Sequence, residues 1–573
     1  MSHPEAHAQP ATQSPVTEQS RPADEPKSNS VAVRSAADAK SRSVAPDFAR
    51  GIALWGIALA NVPTAWITTN MDAPRAGMFG GTGLEQTPLE QILIMFHAMF
   101  VHVRGLPMFS TLLGVGVGMI AVSLWKKGYT NGAVRRVLAR RYFFLFLFGA
   151  VHAVFLFFGD IMSTYGLAGI LCGLMVGLRD WLIKLIAGIL FGVTIVQASI
   201  GAIMFALVDI PFDPTGQSMI GAAADDGYLG WMLMGLMGLA FQPFAVLGVL
   251  PLVMIGFLWG RQGVFRNIDK HSRKLWVWTA VAAAVILLVG VPWGLSGIGV
   301  LPGEWNMSLT MLNQGLGMLT GPGILAAIML ALRPVQRTID ERRARGEEAM
   351  VPTVLVPFVA LGKRSMSGYL AQSVLLFILV LPFTFGLGRD FGIPGQMLIA
   401  TGVWLATLLG AWALEAAGKQ GPFEWLHRRL SYGKGLQNPY QWTAKEIERA
   451  RQGKPVLIGY PDGEFGQQQA VPSGGVLPAS PQPMQQAPGM PVGAPAQQAP
   501  GVPEGAHPQY AQPQPQPQPQ AQQPHDYGAQ PQQPGYPQAQ QQAAPQPGYF
   551  EPQYPHGGAQ QQPMPPQEPP RSN

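Results

Sequence analysis

Cysteine is almost absent from this chain of 573 residues, in which Cys172 is the only one. One cysteine can form neither an intrachain disulfide framework nor a metal site built on several thiolates. Because Cys172 lies within an apolar stretch of helical character, we expect a small buried side chain there and not a reactive thiol. We therefore predict no disulfide-stabilised domain and no metal site.

Charged side chains are also scarce. They make up 12% of the chain, whereas soluble globular proteins carry about 25%. The sequence also lacks a phosphate-binding P-loop, a dinucleotide-binding glycine fingerprint, an HExxH zinc motif and a nucleophile elbow in a suitable context. No apolar stretch carries the repeated arginines of a voltage sensor, and no convincing inverted repeat is visible. A conventional soluble enzyme and ATP-driven transport by this chain alone are therefore disfavoured, and no motif identifies a cofactor.

Proline and glycine are abundant instead, with 53 and 68 residues respectively. Much of the proline lies at the two ends, where large apolar side chains are few. Residues 1–45 and 467–573 cannot bury enough apolar surface to offset their chain entropy, so we predict disordered N- and C-terminal segments. The second is a Pro/Gln-rich tail of low complexity. A short extension, residues 436–466, is predicted to connect this tail to the body of the protein.

The body, residues 46–435, is predicted to be a polytopic membrane domain. A helix of about 20 apolar residues crosses about 30 Å of hydrocarbon, and about ten stretches between Gly51 and Ala417 qualify. The predicted spans are 51–69, 108–125, 142–158, 161–178, 182–208, 231–259, 275–299, 308–332, 366–386 and 396–417. The fold class is therefore predicted as an all-α bundle of transmembrane helices with disordered tails.

Lysine and arginine residues predict the orientation of this bundle. After Arg50 they divide about 27 to 3 between the two sides of the membrane, which under the positive-inside rule places the richer side in the cytoplasm. Both termini then face the cytoplasm of a multi-pass protein in the cell membrane. The net charge of +6 is accordingly interpreted as an orientation signal and not as a nucleic-acid-binding surface.

The segment from Pro88 to Arg104 does not fit the simple count. It forms an apolar, helix-like run of marginal length for crossing a bilayer, and Pro107 interrupts it before the next span. If the segment crossed, every later basic loop would change sides. We therefore predict a re-entrant or interfacial helix on the outer side.

Ionisable side chains at membrane depth are candidates for function because their burial is costly. His152 lies about 11 residues beyond Arg141, or roughly 16 Å into the bilayer by helical rise. Asp160 follows at the far end of the same predicted helix. A neutral imidazole can act as a general base, and a carboxylate can orient or charge it. The alternative is a histidine that only joins helices by hydrogen bonding.

Five further residues are candidates for substrate or donor binding. Asp47 and Arg50 are three residues apart and share a face at the start of the first helix. Arg104 is predicted either to contact an anionic group or to extend to the lipid headgroups. Asn61 and Gln372 need polar partners inside the membrane, as do Gln242 and Gln314, and simple interhelical contacts would also satisfy them.

Several motifs together resemble the YeiB-like family of bacterial membrane proteins, whose C-terminal part is domain of unknown function 418. The matching segments are Asp47–Ala53 with Gly56, Ile57 and Asn61, Met108–Gly116, His152 with Gly159–Ile161 and Tyr165, Gly362–Ser373, and Gly421–Trp425. The resemblance covers about Asp47 to Gly433 and implies that about 270–435 form the family's C-terminal domain. It leaves out both tails.

The Asp-x-x-Arg-Gly opening is also similar to that of multi-span acyltransferases that modify cell-envelope sugars. That similarity implies an acyl-CoA-type donor arriving from the cytoplasm near Arg50, with His152 as base and an envelope glycan or lipid as acceptor. Two alternatives remain. One is a permease for a small solute or lipid, with Asn61, Arg104, Gln242 and Gln314 along its path, and the other is a scaffold that recruits protein partners through the C-terminal tail.

Overall fold

The computed structural model describes residues 43–67, 79–80, 86–208, 217–347, 350–433, 435–437, 440–463 and 466–470. All of them belong to one unit, Met1–Pro483. The N-terminal segment before residue 43 and the tail after residue 470, both predicted to be disordered, lie outside the described residues.

About three quarters of the described part of the chain is helical and almost none of it is strand, as the sequence predicts. The helices of its first half are α1 (Ala45–Asn61), α2 (Pro88–Phe96), α3 (Gly105–Lys126), α4 (Asn131–Phe155), α5 (Met162–Leu174), α6 (Asp180–Leu207), α7 (Gln217–Asp225) and α8 (Gly227–Arg261). Those of its second half are α9 (Ser272–Val285), α10 (Val291–Gly297), α11 (Trp305–Leu316), α12 (Thr320–Ala331), α13 (Arg333–Ala344), α14 (Val356–Lys363), α15 (Ser365–Val380), α16 (Ile393–Ala416), α17 (Pro422–Tyr432) and α18 (Ala444–Arg451).

Two-residue strands and tighter or wider helical turns complete the described structure. Strands β1 (Leu457–Ile458) and β2 (Gln468–Gln469) pair antiparallel, so the first residues assigned to the tail by sequence take part in a small hairpin. The π-helical turns are Val62–Trp66, His97–Val101 and Ile286–Gly290, and the 3₁₀ turns are Gly317–Leu319 and Thr353–Leu355.

Seven helical stretches within the described residues are long and apolar enough to cross a membrane. They are Pro88–Lys126, Asn131–Phe155, Asp180–Leu207, Gly227–Arg261, Ser272–Gly297, Trp305–Ala331 and Ile393–Ala416. Met162–Leu174, Thr353–Lys363 and Ser365–Val380 are apolar but shorter. The polytopic helical class is confirmed, but the number of about ten spans is not, because apolar composition continues through turns where the helices have already ended.

The segment predicted as one helix from Pro88 to Arg104 is broken earlier than expected. Helix α2 starts with a reciprocal Thr87–Glu90 capping box and passes into the π-helical turn that ends at Val101. The chain then turns at residues 102–104, where Val103 adopts a φ of +54°. The break therefore precedes Pro107, which lies in the first turn of α3, where proline is tolerated.

Helices α3 and α8 pack with their backbones nearly touching. A Cβ built on Gly114 would lie 1.9 Å from the carbonyl oxygen of Val253, and one on Gly256 would lie 1.9 Å from that of Thr111. Gly118 and Gly260 make similar approaches one turn later. Small residues at four-residue spacing on both helices permit this contact. Such close van der Waals packing stabilises helix pairs in a bilayer, where the hydrophobic effect does not drive helices together.

The first helix is held by a helix from the far end of the chain. A Cβ on Gly51 would lie 2.3 Å from the carbonyl oxygen of Phe358, and one on Gly362 would lie 1.7 Å from that of Asp47. Only glycine permits α1 and α14 to approach this closely. The buried backbone of Asp47 is therefore fixed by α14.

Ion pairs and hydrogen bonds between separate elements hold many of the basic residues at one end of the bundle. Asp269 pairs with Arg337 at 2.9 Å, Arg140 Nε donates to the Leu430 carbonyl at 3.0 Å, and Arg261 pairs with Asp180. We call this the basic end. The extension also attaches here, because Glu446 pairs with Arg136 and accepts a hydrogen bond from Thr130.

Candidate functional site

His152 and Asp160 form a buried pair. Nδ1 of His152 lies 2.8 Å from Oδ1 of Asp160, and the two side chains are 1% and 0% exposed. Helix α4 ends at Phe155, and the chain turns back because Leu156 N and Phe157 N both donate to the His152 carbonyl. Asp160 thus lies in the loop before α5 and not at the end of the predicted helix, and this turn brings it to His152.

The remaining carboxylate oxygen of Asp160 is also used. It accepts a hydrogen bond of 2.6 Å from the backbone N–H of Ser163 in the first turn of α5. A carboxylate that accepts at both oxygens favours the imidazole tautomer with its proton on Nδ1. Nε2 of His152 then carries a lone pair, and this buried atom has no hydrogen-bond partner among the described residues.

A cavity of about 450 Å³ approaches this pair. Most of its wall is apolar and comes from α1, α3, α4 and α15. At one end it reaches Ile161, Tyr165 and Tyr369, and the ring of Tyr369 lies 5.1 Å from that of His152 between centroids. Tyr369 therefore contacts the cavity and the pair at once, while His152 and Asp160 stay behind it.

The other end of this apolar cavity is cationic. Arg50, Arg141 and Lys363 line it there, and it shares Arg141 and Lys363 with a wider cleft of about 770 Å³. The carboxylate of Glu424 lines the cleft together with five cationic residues. These are Lys127, Arg141, Lys363, Arg364 and Arg428. The two spaces together combine an apolar interior with a positively charged mouth at the basic end.

Part of that positive charge is already balanced. Lys363 and Arg364 both pair with Glu415, and Glu424 accepts hydrogen bonds from Met366 N and Ser367 N at 2.7 and 3.0 Å. Glu424 thereby caps the start of α15.

Arg141 and His427 meet at the junction of the cavity and the cleft. Nη1 of Arg141 donates to the Tyr432 hydroxyl at 3.1 Å. Nε2–H of His427 donates to the Arg141 carbonyl at 2.8 Å. Burial, followed by the nearby positive charge of Arg141, lowers the pKa of His427 to about 4. This histidine is therefore neutral at pH 7.

Asp47 and Arg50 form the ion pair that their spacing suggests, with Arg50 Nη1 at 2.9 Å from Asp47 Oδ1. The Asp47 side chain is 3% exposed and that of Arg50 is 19% exposed. Arg50 lines the apolar cavity near its cationic end. Asp47 thus orients Arg50 from the start of α1.

Arg104 lies apart from the His152 pair and stabilises the break after α2. Its guanidinium donates to the carbonyls of Met99, Val103 and Ala98 at 3.0, 3.0 and 3.3 Å, and to Oδ1 of Asn313 at 3.0 Å. Val103 is available as an acceptor because Pro107, four residues later, has no N–H to donate. Arg104 does not line the cavity that approaches His152 and Asp160.

The other polar candidates make internal contacts or lie at the surface. Gln372 Nε2 donates to Thr407 Oγ1 at 3.3 Å, and Gln242 is bonded to Thr164. Asn61 is half-buried at the end of α1, and Gln314 is exposed on α11. None of the four lines the apolar cavity or the cationic cleft.

Several residues of the site were not singled out from the sequence. Tyr369 falls within the Gly362–Ser373 motif, so the motif offered a signal, but an aromatic residue in an apolar helix is ordinary. Arg141 and Lys363 contribute to the charge asymmetry that predicts orientation, and Lys363 also lies in that motif, but neither pattern indicates a cavity. Within the described residues, no group of three or more His, Cys, Asp or Glu residues could hold a metal ion.

The described residues define a multi-span helical membrane protein with a buried histidine–carboxylate pair beside a cation-lined cavity. Residues 259–434 match the family "Protein of unknown function (DUF418)". The chain is also similar to the "Uncharacterized protein YeiB" of Escherichia coli (strain K12), with 24% identity over 420 residues that cover 68% of this chain and 96% of YeiB. The predicted resemblance to the YeiB-like DUF418 family is confirmed.

Proposed function

We propose that this protein transfers acyl groups within the cell membrane, from an acyl-CoA-type donor to a hydroxyl of an envelope glycan or lipid. The observation that carries the proposal is the buried His152–Asp160 pair, in which Nδ1 is held at 2.8 Å and Nε2 is left without a partner. A base that is oriented by a carboxylate on one nitrogen and free on the other suits proton abstraction from a hydroxyl.

The adjoining spaces suit such a donor. An acyl-CoA carries several phosphate charges and an apolar chain. The cationic cleft with Lys127, Arg141 and Arg428 would bind the phosphates, and the apolar cavity would bind the acyl chain. The donor would then arrive from the basic end, which the positive-inside rule assigns to the cytoplasm.

The chemical step follows from this placement. The acceptor oxygen attacks the thioester carbonyl carbon while Nε2 of His152 takes the hydroxyl proton. The C–S bond then breaks, the new ester forms, and the proton passes to the departing thiolate. Asp160 stabilises the imidazolium that exists between these events. Tyr369 must move for the acceptor to reach Nε2, because its ring contacts both His152 and the cavity.

The test uses the full chain in lipid nanodiscs with a radiolabelled acyl-CoA and an envelope extract. We expect His152→Gln and Asp160→Asn to lower label transfer by about 100-fold or more, the usual contribution of a general base. Gln242→Leu, which removes a buried polar group that does not line the cavity, is the matched control and should retain transfer. Undiminished transfer by a folded His152→Gln protein would refute the role of His152.

The permease alternative is tested with the same preparations. Its expected path residues, Asn61, Arg104, Gln242 and Gln314, do not line the two spaces described above. Reconstituted vesicles that accumulate a solute, with no acyl transfer in nanodiscs, would favour transport over catalysis. The scaffold alternative involves the tail, and removal of residues 471–573 should leave acyl transfer intact.

A further inference from the structure

A second concave space lies at the basic end, separate from the proposed acyl-transfer site. It has a volume of about 530 Å³ and is enclosed between the end of α8 with its following turn and the Tyr460–Gly463 part of the extension. A smaller cavity of about 290 Å³ adjoins it and shares Lys126, Arg261 and Tyr460. We call the larger space the extension cavity.

Cations dominate the described wall of the extension cavity. Lys126, Arg261, Arg266 and Lys270 line it, and Asp462 is the one carboxylate among the described lining residues. The backbone N–H of Asp180 donates to Asp462 at 2.6 Å, which occupies one of its oxygens. The wall therefore carries an excess of positive charge.

Arg261 differs from the other three cations because its charge is already balanced. Its side chain is fully buried and paired with Asp180, its Nη1 donates to the Leu178 carbonyl at 3.0 Å, and its guanidinium lies 3.9 Å from the centre of the Tyr460 ring. These contacts hold the extension in place over the cavity. Arg261 is a structural element of the wall.

Lys126, Arg266 and Lys270 are exposed, and none of their side chains has a hydrogen bond or ion pair with a described residue. Like charges around one concavity repel each other unless an anion lies between them. His271, which also faces the cavity, adds no positive charge at pH 7, because burial and the nearby Lys274 and Lys270 lower its pKa. The uncompensated charge therefore resides on the three exposed cations.

We propose that the extension cavity binds a phosphate-bearing anion. Phosphate oxygens accept charge-assisted hydrogen bonds from several cations at once, which suits a wall with three available donors. Asn267 on the same wall supplies a neutral donor, whereas the amide of Gln262 is already bonded to Asp180 and Lys274. The phosphate belongs either to a soluble compound or to an anionic lipid headgroup at the membrane surface. This site does not depend on the proposed acyl-transfer function.

The experiment uses the full chain in nanodiscs of phosphatidylcholine and measures binding of inorganic pyrophosphate by calorimetry. A second arm measures enrichment of phosphatidylglycerol around the protein in mixed nanodiscs by mass spectrometry. We expect the Lys126→Ala/Lys270→Ala double variant to weaken binding about tenfold in the arm that shows it. Lys445→Ala/Lys454→Ala removes the same charge from exposed positions outside the cavity and should change binding less than about twofold.

The two arms distinguish a soluble ligand from a lipid headgroup. Pyrophosphate binding that the first double variant weakens supports a soluble ligand, and phosphatidylglycerol enrichment alone, lost in the same variant, supports a lipid headgroup. Arg266→Gln is a third probe if the double variant fails to fold, and it should weaken the same arm. No binding in either arm, or equal effects of the two double variants, would overturn the proposal.

Discussion

Gly256 of α8 lies directly against the carbonyl oxygen of Thr111 in α3, where a Cβ would approach to 1.9 Å. No side chain fits there unless the helices separate. Gly248, two turns earlier on the same helix, has open space around its Cβ position. The two glycines therefore differ in the space around their Cβ positions, a difference that the sequence alone does not reveal.

We predict that Gly256→Ala destabilises the protein by about 2 kcal/mol or more, because a backbone contact cannot yield as a flexible side chain can. Gly248→Ala should instead stabilise the protein slightly, by up to about 1 kcal/mol, since the Cβ has open space and helix propensity favours alanine. Thermal unfolding of the two variants in one detergent measures the difference. Equal midpoints would show that α3 and α8 do not pack as described.

Arg104 is predicted to be essential for stability and not for ligand binding. Arg104→Met removes four donated hydrogen bonds and leaves buried acceptors unsatisfied, which should cost about 3 kcal/mol. Arg104→Lys should also be destabilised, because a compact ammonium cannot reach acceptors on both sides of the break. Thermal unfolding, with exposed Arg449→Met as control, tests this. A fully stable Arg104→Lys protein with impaired transfer would instead assign Arg104 to substrate binding.

Glu424 is predicted to act as the cap of α15. Glu424→Ala should lower the free energy of unfolding by about 1–2 kcal/mol, because two backbone N–H groups lose their acceptor. Glu424→Gln should lose less, since an amide oxygen still accepts. Chemical denaturation of both variants beside exposed Glu341→Ala is the appropriate comparison. A loss in Glu341→Ala as large as that in Glu424→Ala would argue against the cap.

Stability should fall in acid because of His427. Its pKa is about 4 in the folded protein and about 6.5 in an unfolded chain. The unfolded state therefore binds an additional proton between these values. The contribution of His427 to the free energy of unfolding is fully present above about pH 6.5 and is lost progressively down to about pH 4. The total loss is about 3 kcal/mol.

His427→Gln can still donate to the Arg141 carbonyl but does not titrate. As the pH falls from about 7 to about 4, the unfolding midpoint of the unsubstituted protein should therefore fall relative to that of the variant. A difference independent of pH would show that His427 is protonated equally in both states.

The general architecture and the main pair could be predicted from the sequence. Apolar composition identifies membrane helices because side chains that face hydrocarbon must be apolar. His152 is conspicuous because ionisable groups are rare in such a stretch. The short separation from Asp160 also favours a contact between them, but the turn that creates it follows Phe155 and so lies inside the predicted span 142–158.

Other features depend on tertiary contacts that local patterns do not encode. The break at residues 102–104 is stabilised by Asn313, more than 200 residues away along the chain. His97 Nε2 contacts the Leu59 carbonyl at 2.9 Å, an acceptor left free because Pro63, four residues later, cannot donate. Arg104 was accordingly given a functional hypothesis from its position alone, and its partners became visible only in three dimensions.

The contact of α1 with α14 has a consequence for how the protein is made. Gly51 and Phe358 are separated by about 300 residues, and a ribosome needs about 15 to 60 seconds to synthesise that length. Throughout this interval α1 can pack against α3, but the backbone of Asp47 lacks its contact with Gly362. The packing of α1 is completed only after α14 has been synthesised, so chains truncated before Phe358 should be targets of membrane proteolysis.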